Sequence, residues 1–168
     1  SILGFIQDKI HINDKWDITP AIRYSHYGTY DNTAEDGSTS SVNNSSSSTI
    51  TPTINTQYAF DDTMSAYFGW TKIYRPVKAG DLTLQDKNLW NGMKLEDEKG
   101  DVWTFGVRKD LSDKTSVALH YDWTDMSNAV TSYSVMTKII NNVPEYENRA
   151  VNARETKKSF NVTVDHRF

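Results

Sequence analysis

Strict alternation of oily and wet residues is the feature that most constrains this chain. In "TSVALHYDWTD", Thr115 to Asp125, the bulky apolar Val117, Leu119, Tyr121 and Trp123 are separated by Ser116, Ala118, His120, Asp122 and Thr124. A period of two belongs to an extended strand, because successive side chains leave a pleated backbone on opposite sides. The pattern recurs along the chain. "KWDITPAIRYSHYG" sets Trp16, Ile18, Ile22 and Tyr24 against Asp17, Thr19, Arg23 and Ser25, and "TITPTINTQYAF" sets Ile50, Ile54, Tyr58 and Phe60 against Thr51, Thr53, Asn55 and Gln57. "TMSAYFGWTK" carries Met64, Ala66, Phe68 and Trp70, and "DVWTFGVRKDL" carries Trp103, Phe105, Val107 and Leu111. "KSFNVTVDHRF" carries Phe160, Val162, Val164 and Phe168. The opening "GFIQDKIHI" is less regular, since Asp8 falls among Ile6, Ile10 and Ile12. Helical periodicity is nearly absent. The reading is all-β: an antiparallel up-and-down meander of about seven to eight strands, seven main ones and a further β-like stretch over Ala129–Ile140.

The connections alternate too. "INDK" (Ile12–Lys15), "FDDT" (Phe60–Thr63) and "LSDK" (Leu111–Lys114) are tight polar turns, and between them lie long segments at about 28–48, 77–100 and 126–147. Short, long, short, long is how an outer-membrane meander is built, with short periplasmic turns and long outer loops. The serine-rich "DGSTSSVNNSSSS" in the first long segment reads as a solvated excursion.

Composition removes several classes of function. The net charge of −4 offers no basic excess for a phosphate backbone, so no nucleic-acid partner is expected. The absence of cysteine excludes disulfides, thiolate metal sites and thiol catalysis. No apolar run approaches the roughly 20 residues of a spanning helix. A mean hydropathy of −0.64 does not argue against a membrane barrel, in which only every second residue meets lipid.

A soluble sandwich also alternates, and two features favour lipid. The wet faces carry charges and amides on nearly every strand: Arg23, Gln57, Arg108, Asp122, Asp165 and Arg167. Aromatic residues gather near strand ends, at Trp16, Tyr58, Phe60, Trp103, Trp123 and Phe168, as interfacial girdles require. The oily face is therefore expected to look outward, making the chain a single segment, residues 1–168, of a transmembrane outer-membrane β-barrel. Two alternatives stay open. One is a self-contained eight-stranded outer-membrane barrel with an adhesive or structural role, which needs an even strand count and closure. The other is a soluble β-sandwich or small barrel binding a carbohydrate or other small ligand, which needs Trp16, Trp103 and Trp123 buried together.

Four segments carry a family likeness. "FIQDKIHINDKWDITPAIRYSHY" (Phe5–Tyr27), "TPTINTQYAFDDTMSAYFGWTKIYRP" (Thr51–Pro76), "MKLEDEKGDVWTFGVRKDLSD" (Met93–Asp113) and "YENRAVNARETKKSFNVTVDHRF" (Tyr146–Phe168) follow one another in the order of the middle barrel of TonB-dependent outer-membrane receptors, which the chain resembles. It departs from them where Arg75 directly precedes Pro76, and where Lys157, Ser159 and Asn161 stand in place of the usual glycine and glutamate. The stretch 77–100 lacks the histidine of haem-type relatives. The resemblance implies a bacterial outer-membrane location and uptake of a scarce nutrient such as a ferric siderophore. The partners it implies are outer-membrane lipid, a small molecule such as a metal chelate, and TonB only through a plug domain absent from these residues. Such transporters are 22-stranded, so an odd count of seven strands reads as roughly a third of one.

No enzymatic chemistry is expected. No phosphate loop, nucleophile elbow or catalytic histidine constellation occurs. His11, His26, His120 and His166 sit on separate strands without paired metal spacing, and His120 and His166 fall on opposite faces. "DNTAED" (Asp31–Asp36) lacks the glycine and glutamate of a calcium loop and reads as a solvated acidic segment. Glu96 and Glu98 read as part of a charged loop. No cofactor and no metal are predicted. A ligand would be met by Tyr27 and Tyr30 flanking the first long segment, Tyr74 and Arg75 opening the second, and Trp90 within it, since aromatic faces and a guanidinium suit an anionic or aryl ligand.

Overall fold

The computed structural model of the chain describes residues 1–28, 47–77, 85 and 94–168, together with the backbone of 30–33 and 39–43. Ten strands follow in order: β1 (Ile2–Gln7), β2 (Ile10–Asn13), β3 (Trp16–Tyr27), β4 (Tyr30–Thr33), β5 (Thr39–Asn43), β6 (Ser47–Asp61), β7 (Met64–Arg75), β8 (Glu98–Asp110), β9 (Thr115–Ile140) and β10 (Val143–His166). One antiparallel sheet takes eight of them in the order β1-β3-β6-β7-β8-β9-β10, with β2 also paired to β3. β4 and β5 pair separately.

The eighth strand comes from an interruption and not from closure. β1 lies against Ala21–His26 and β2 against Trp16–Ile18 of the same neighbour, so the two share one lane that breaks where Asp8 disturbs the alternation. The Asp8 amide still donates to the Pro20 carbonyl at 3.1 Å, which holds the lane together across the break. The β-like stretch Ala129–Ile140 is not a separate strand either; it continues β9, which is 26 residues long. The sheet path therefore runs open from β1 to β10.

Short-range chemistry fixes the tight turns at one end of the sheet. The Asn13 carboxamide accepts the Lys15 amide at 2.9 Å, and the Asp61 carboxylate accepts both the amide and the hydroxyl of Thr63 at 2.7 Å. Leu111 and Ser112 donate to the Thr115 carbonyl at 2.8 and 3.2 Å. Ser112 Oγ in turn accepts the Lys114 and Thr115 amides at 3.3 and 3.1 Å, and such side-chain acceptors of backbone N–H are how Asx and Ser residues favour turns. The segment 126–147 is not irregular: β9 and β10 continue through it to a two-residue turn at Asn141 and Asn142. Their φ of 50° and 64° is the left-handed pair that a twisted hairpin requires.

Register gathers the oily residues into rows across the strands. Trp16, Tyr58, Ala66, Val107, Leu119 and Val162 stand side by side, and the next row carries Ile18, Thr56, Phe68, Phe105, Tyr121 and Phe160. Phe68 and Phe105 rings lie 5.0 Å apart, and Phe105 and Tyr121 rings 6.4 Å apart. No second sheet covers these rows among the described residues. Ile6 is 78% exposed, Ile50 64% and Phe160 63%, and among the described residues the buried hydrophobic side chains are Ala21, Val77, Ala129 and Ala150. An exposed Ile or Phe forfeits roughly 1.5–3 kcal/mol relative to burial, so a face of this size needs an apolar solvent.

The oily stripe also slides along successive strands. On β3 it extends from Trp16 to Tyr24. On β10 it occupies Phe160 to Val164, shifted toward the tight-turn end relative to the row that contains Trp16. A band level with a membrane must drift in this way when strands tilt by about 35–45°. Beyond it Trp70, Trp103 and Trp123 stand in one row, Trp103 and Trp123 with rings 5.2 Å apart.

Candidate functional site

The sheet opens at the end away from the tight turns. β6 pairs with β7 only from Asp61↔Met64 up to Thr53↔Thr71. Above that level β6 stays with β3 as far as Tyr27↔Ser47, while β7 stays with β8 as far as Arg75↔Glu98. The two strands part, leaving a cleft of about 170 Å³ whose lining includes Arg23, Tyr27, Thr51, Thr71, Ile73 and Tyr74.

Asp97 stitches the cleft's far end. Its carboxylate accepts the Ser47 hydroxyl from the β6 side at 3.1 Å, the Tyr74 hydroxyl from the β7 side at 2.5 Å, and the Val77 amide at 3.0 Å. Tyr74 lies past the tryptophan row, outside the lipid-facing band. Its phenol is pushed up to about 12, first by burial and then by the Asp97 carboxylate, so it stays a neutral donor. The Tyr27 and Tyr74 rings meet across the gap at 6.3 Å, tilted by 40°.

Of the residues expected to meet a ligand, the structure brings Tyr27 and Tyr74 together. Arg75 is next in sequence but is committed elsewhere: its Nε donates to Glu98 Oε2 at 2.6 Å and its Nη2 to Oε1 at 2.5 Å. Glu98 is not in a loop, as its charged neighbourhood suggested. It opens β8, is buried, and also accepts the Val130 amide of β9 at 2.8 Å. That amide lies past the Gly100↔Met126 pair where β8–β9 pairing ends, so the carboxylate replaces the missing partner strand. Tyr30 is placed in β4 opposite Asn43, as backbone only. Trp90 and 34–36 of the acidic segment lie outside the described residues.

Two groups escaped sequence reasoning. Alternation marks Arg23 only as a wet-face residue, yet it lines the cleft and pairs with no carboxylate among the described residues. On the same polar face Tyr67, His120 and Asp122 form a chain. The Tyr67 hydroxyl bonds His120 Nδ1, and His120 Nε2 bonds Asp122 at 2.6 Å; Asp122 also accepts from Thr104 at 2.8 Å and Ser159 at 3.4 Å. Tyr67 reaches His120 across Gly106, which stands between them in register; a Cβ on Gly106 would fall within the Tyr67 ring. Alternation places His120 on the wet face, but only register supplies its partners.

A single open, tilted sheet with one oily and one hydrated face is a piece of membrane barrel wall, and comparison with known families agrees. The family model described as TonB dependent receptor-like, beta-barrel matches residues 1–162. The chain belongs to this family. A search of curated protein sequences found no match. Two solved structures share the receptor-barrel fold. The copper transporter OprC superposes with a TM-score of 0.70 at 12% identity, over 98% of this chain and 26% of its own. The alcaligin outer-membrane receptor FauA from Bordetella pertussis superposes with a TM-score of 0.58 at 15% identity, over 98% of this chain and 30% of its own. The chain thus spans between a quarter and a third of these two proteins. As a TonB-dependent receptor barrel, it resides in the bacterial outer membrane. Val117, Leu119, Tyr121 and Trp123 face lipid, and the Tyr67–His120–Asp122 chain faces the hydrated interior.

Proposed function

We propose that these residues supply wall and rim to an outer-membrane receptor that imports a scarce nutrient as a small anionic chelate, such as a ferric siderophore. The three tight turns face the periplasm, and the long connections at 28–48, 77–100 and 126–147 face outward. The plug that engages TonB lies outside these residues. The observation that carries this reading is the cleft between β6 and β7, which opens at the rim and is lined by two tyrosine rings and by the Arg23 guanidinium, which meets no carboxylate among the described residues. Aromatic faces and Arg23 suit an aryl or carboxylate-bearing chelate. Arg75 serves instead to hold Glu98 and the strand ends. The named relatives transport copper in one case and serve alcaligin in the other, which is consistent with metal-linked cargo without naming it.

The test is uptake by cells whose receptor carries Tyr27→Ala and Arg23→Gln, supplied with radiolabelled ferric siderophores in one arm and copper in the other. Uptake of a ferric siderophore should fall tenfold or more at unchanged receptor level. Unchanged uptake removes the cleft from the pathway, and copper uptake alone rejects the siderophore.

A further inference from the structure

We propose that the lipid-facing wall just past the tryptophan row is a seat for a phosphate-bearing, anionic lipid headgroup held by Lys72 and Lys99. The face that meets acyl chains is continuous through Phe105, Tyr121 and Phe160 to the row of Trp70, Trp103 and Trp123. The next row on that same face changes character at once: Lys72, Asp101 and Asp125 stand side by side there, and Lys99 lies one step further on the outward face of β8. A concavity of about 290 Å³ lies among Lys72, Lys99, Gly100, Asp101, Asp125 and Arg154.

The two carboxylates are already engaged. Asp101 accepts the Trp70 indole N–H at 3.1 Å, and Asp125 is gripped by the Arg154 guanidinium at 3.1 and 2.8 Å and by the Thr156 hydroxyl at 3.3 Å. Arg154 sits at a β-bulge of β9, where Ser127 and Asn128 stand opposite it alone between the Ala153↔Ala129 and Glu155↔Met126 pairs. Lys158 lies over the Trp123 ring at 5.5 Å. The ammonium groups of Lys72 and Lys99 make no ion pair among the described residues.

Charge and position select the occupant. Three cations, Lys72, Lys99 and Arg154, line the concavity against the two engaged carboxylates, leaving it net positive, and Lys158 stands in the adjacent row over Trp123. Its height is that of lipid headgroups, because indoles anchor at that boundary. A basic cluster at the boundary attracts anionic headgroups. A lipid placed there would lay its chains on the apolar rows beneath, an anchorage that a free anion lacks. Lys72 also lines the β6–β7 cleft, so retained lipid, and not cargo uptake, tests the seat.

The test uses the full-length outer-membrane protein that carries this chain, in nanodiscs of phosphatidylcholine containing a minor share of phosphatidylglycerol. Lipid retained on mild detergent extraction is measured by mass spectrometry. The parent protein should retain phosphatidylglycerol preferentially, and the preference should weaken as salt is raised. Lys72→Gln and Lys99→Gln should each lower it roughly fivefold. Lys72→Arg with Lys99→Arg should keep it, as should Lys157→Gln, a change on the inner face where Lys157 pairs with Glu155. No preference in the parent overturns the proposal, as does one that survives both glutamine changes or falls equally with Lys157→Gln. Displacement by inorganic phosphate would show a free-anion site and overturn the lipid assignment. If the glutamine variants do not assemble, the salt response of the parent and the arginine variant still decide.

Discussion

β9 and β10 run side by side from Thr115 to His166 but inhabit two environments. Up to Met126 they have β8 as a third neighbour, alternate strictly, and present Val117, Leu119, Tyr121 and Trp123 to lipid. Past Met126 the same two strands stand as a ribbon reaching roughly 45 Å further, at about 3.3 Å per residue. There strict alternation gives way to Thr131, Ser132, Ser134 and Asn148 and to ion pairs between Lys138 and Glu145 at 3.1 Å and between Glu147 and Arg149 at 2.7 Å, with Met136, Ile139, Ile140, Val143 and Tyr146 exposed toward the tip. A two-stranded ribbon in water is marginal by itself. This one is secured at its base: Asn152 donates to the carbonyls of Glu96 and Asn128, both at 2.9 Å, and accepts the Glu96 amide at 2.6 Å. Pairing alone does not demand an oily face; contact with lipid does. Where lipid ends, side-chain hydrogen bonds replace it.

The sharpest way to break that contrast is to place the same charge in both regions. Phe105→Arg sets a cation within the lipid-facing rows and should destabilise the barrel by about 2–4 kcal/mol, seen as lost resistance to SDS before heating. Thr131→Arg on the exposed ribbon should change stability by less than about 0.5 kcal/mol. Equal losses would mean that the two regions share one solvent.

A smaller effect tests the junction between them. Glu98→Ala leaves both the Arg75 guanidinium and the Val130 amide without this acceptor. Because the Arg75 side chain is 44% exposed against 10% for Glu98, the cost should be about 2 kcal/mol, below that of a fully buried pair. Hydrogen exchange should accelerate at Val130 and along the ribbon base and stay slow at Leu119. Uniform acceleration would mean that Glu98 supports the whole sheet.

The smallest effect concerns the cleft. Burial and Asp97 raise the Tyr74 phenol to about 12, above the roughly 10 of a free tyrosine. The fold favours the neutral form, so this contribution to stability is complete below pH of about 10 and is lost as pH rises toward 12. The tyrosinate absorbance of the parent minus that of Tyr74→Phe should show one phenol titrating near 12. Titration near 10 would mean that β6 and β7 are not held together through Asp97.

By itself the sequence determined what a period of two can determine. It placed the strands, gave each residue its face, located the Asx turns and identified the family, because these depend on neighbours in the chain. Even the misfit of Asp8 marked the place where the first lane breaks into β1 and β2. What stands opposite a residue is a different matter, set by turn length, bulges and the ends of pairing. Only the tertiary structure decided that Trp70 joins Trp103 and Trp123, that Tyr67 crosses Gly106 to His120, and that Ala129–Ile140 prolongs β9. It also decided that Glu98 holds the Arg75 guanidinium and that Arg23 lines the cleft where β6 parts from β7. Faces follow from local stereochemistry, whereas partners follow from register between distant segments, which no local pattern encodes.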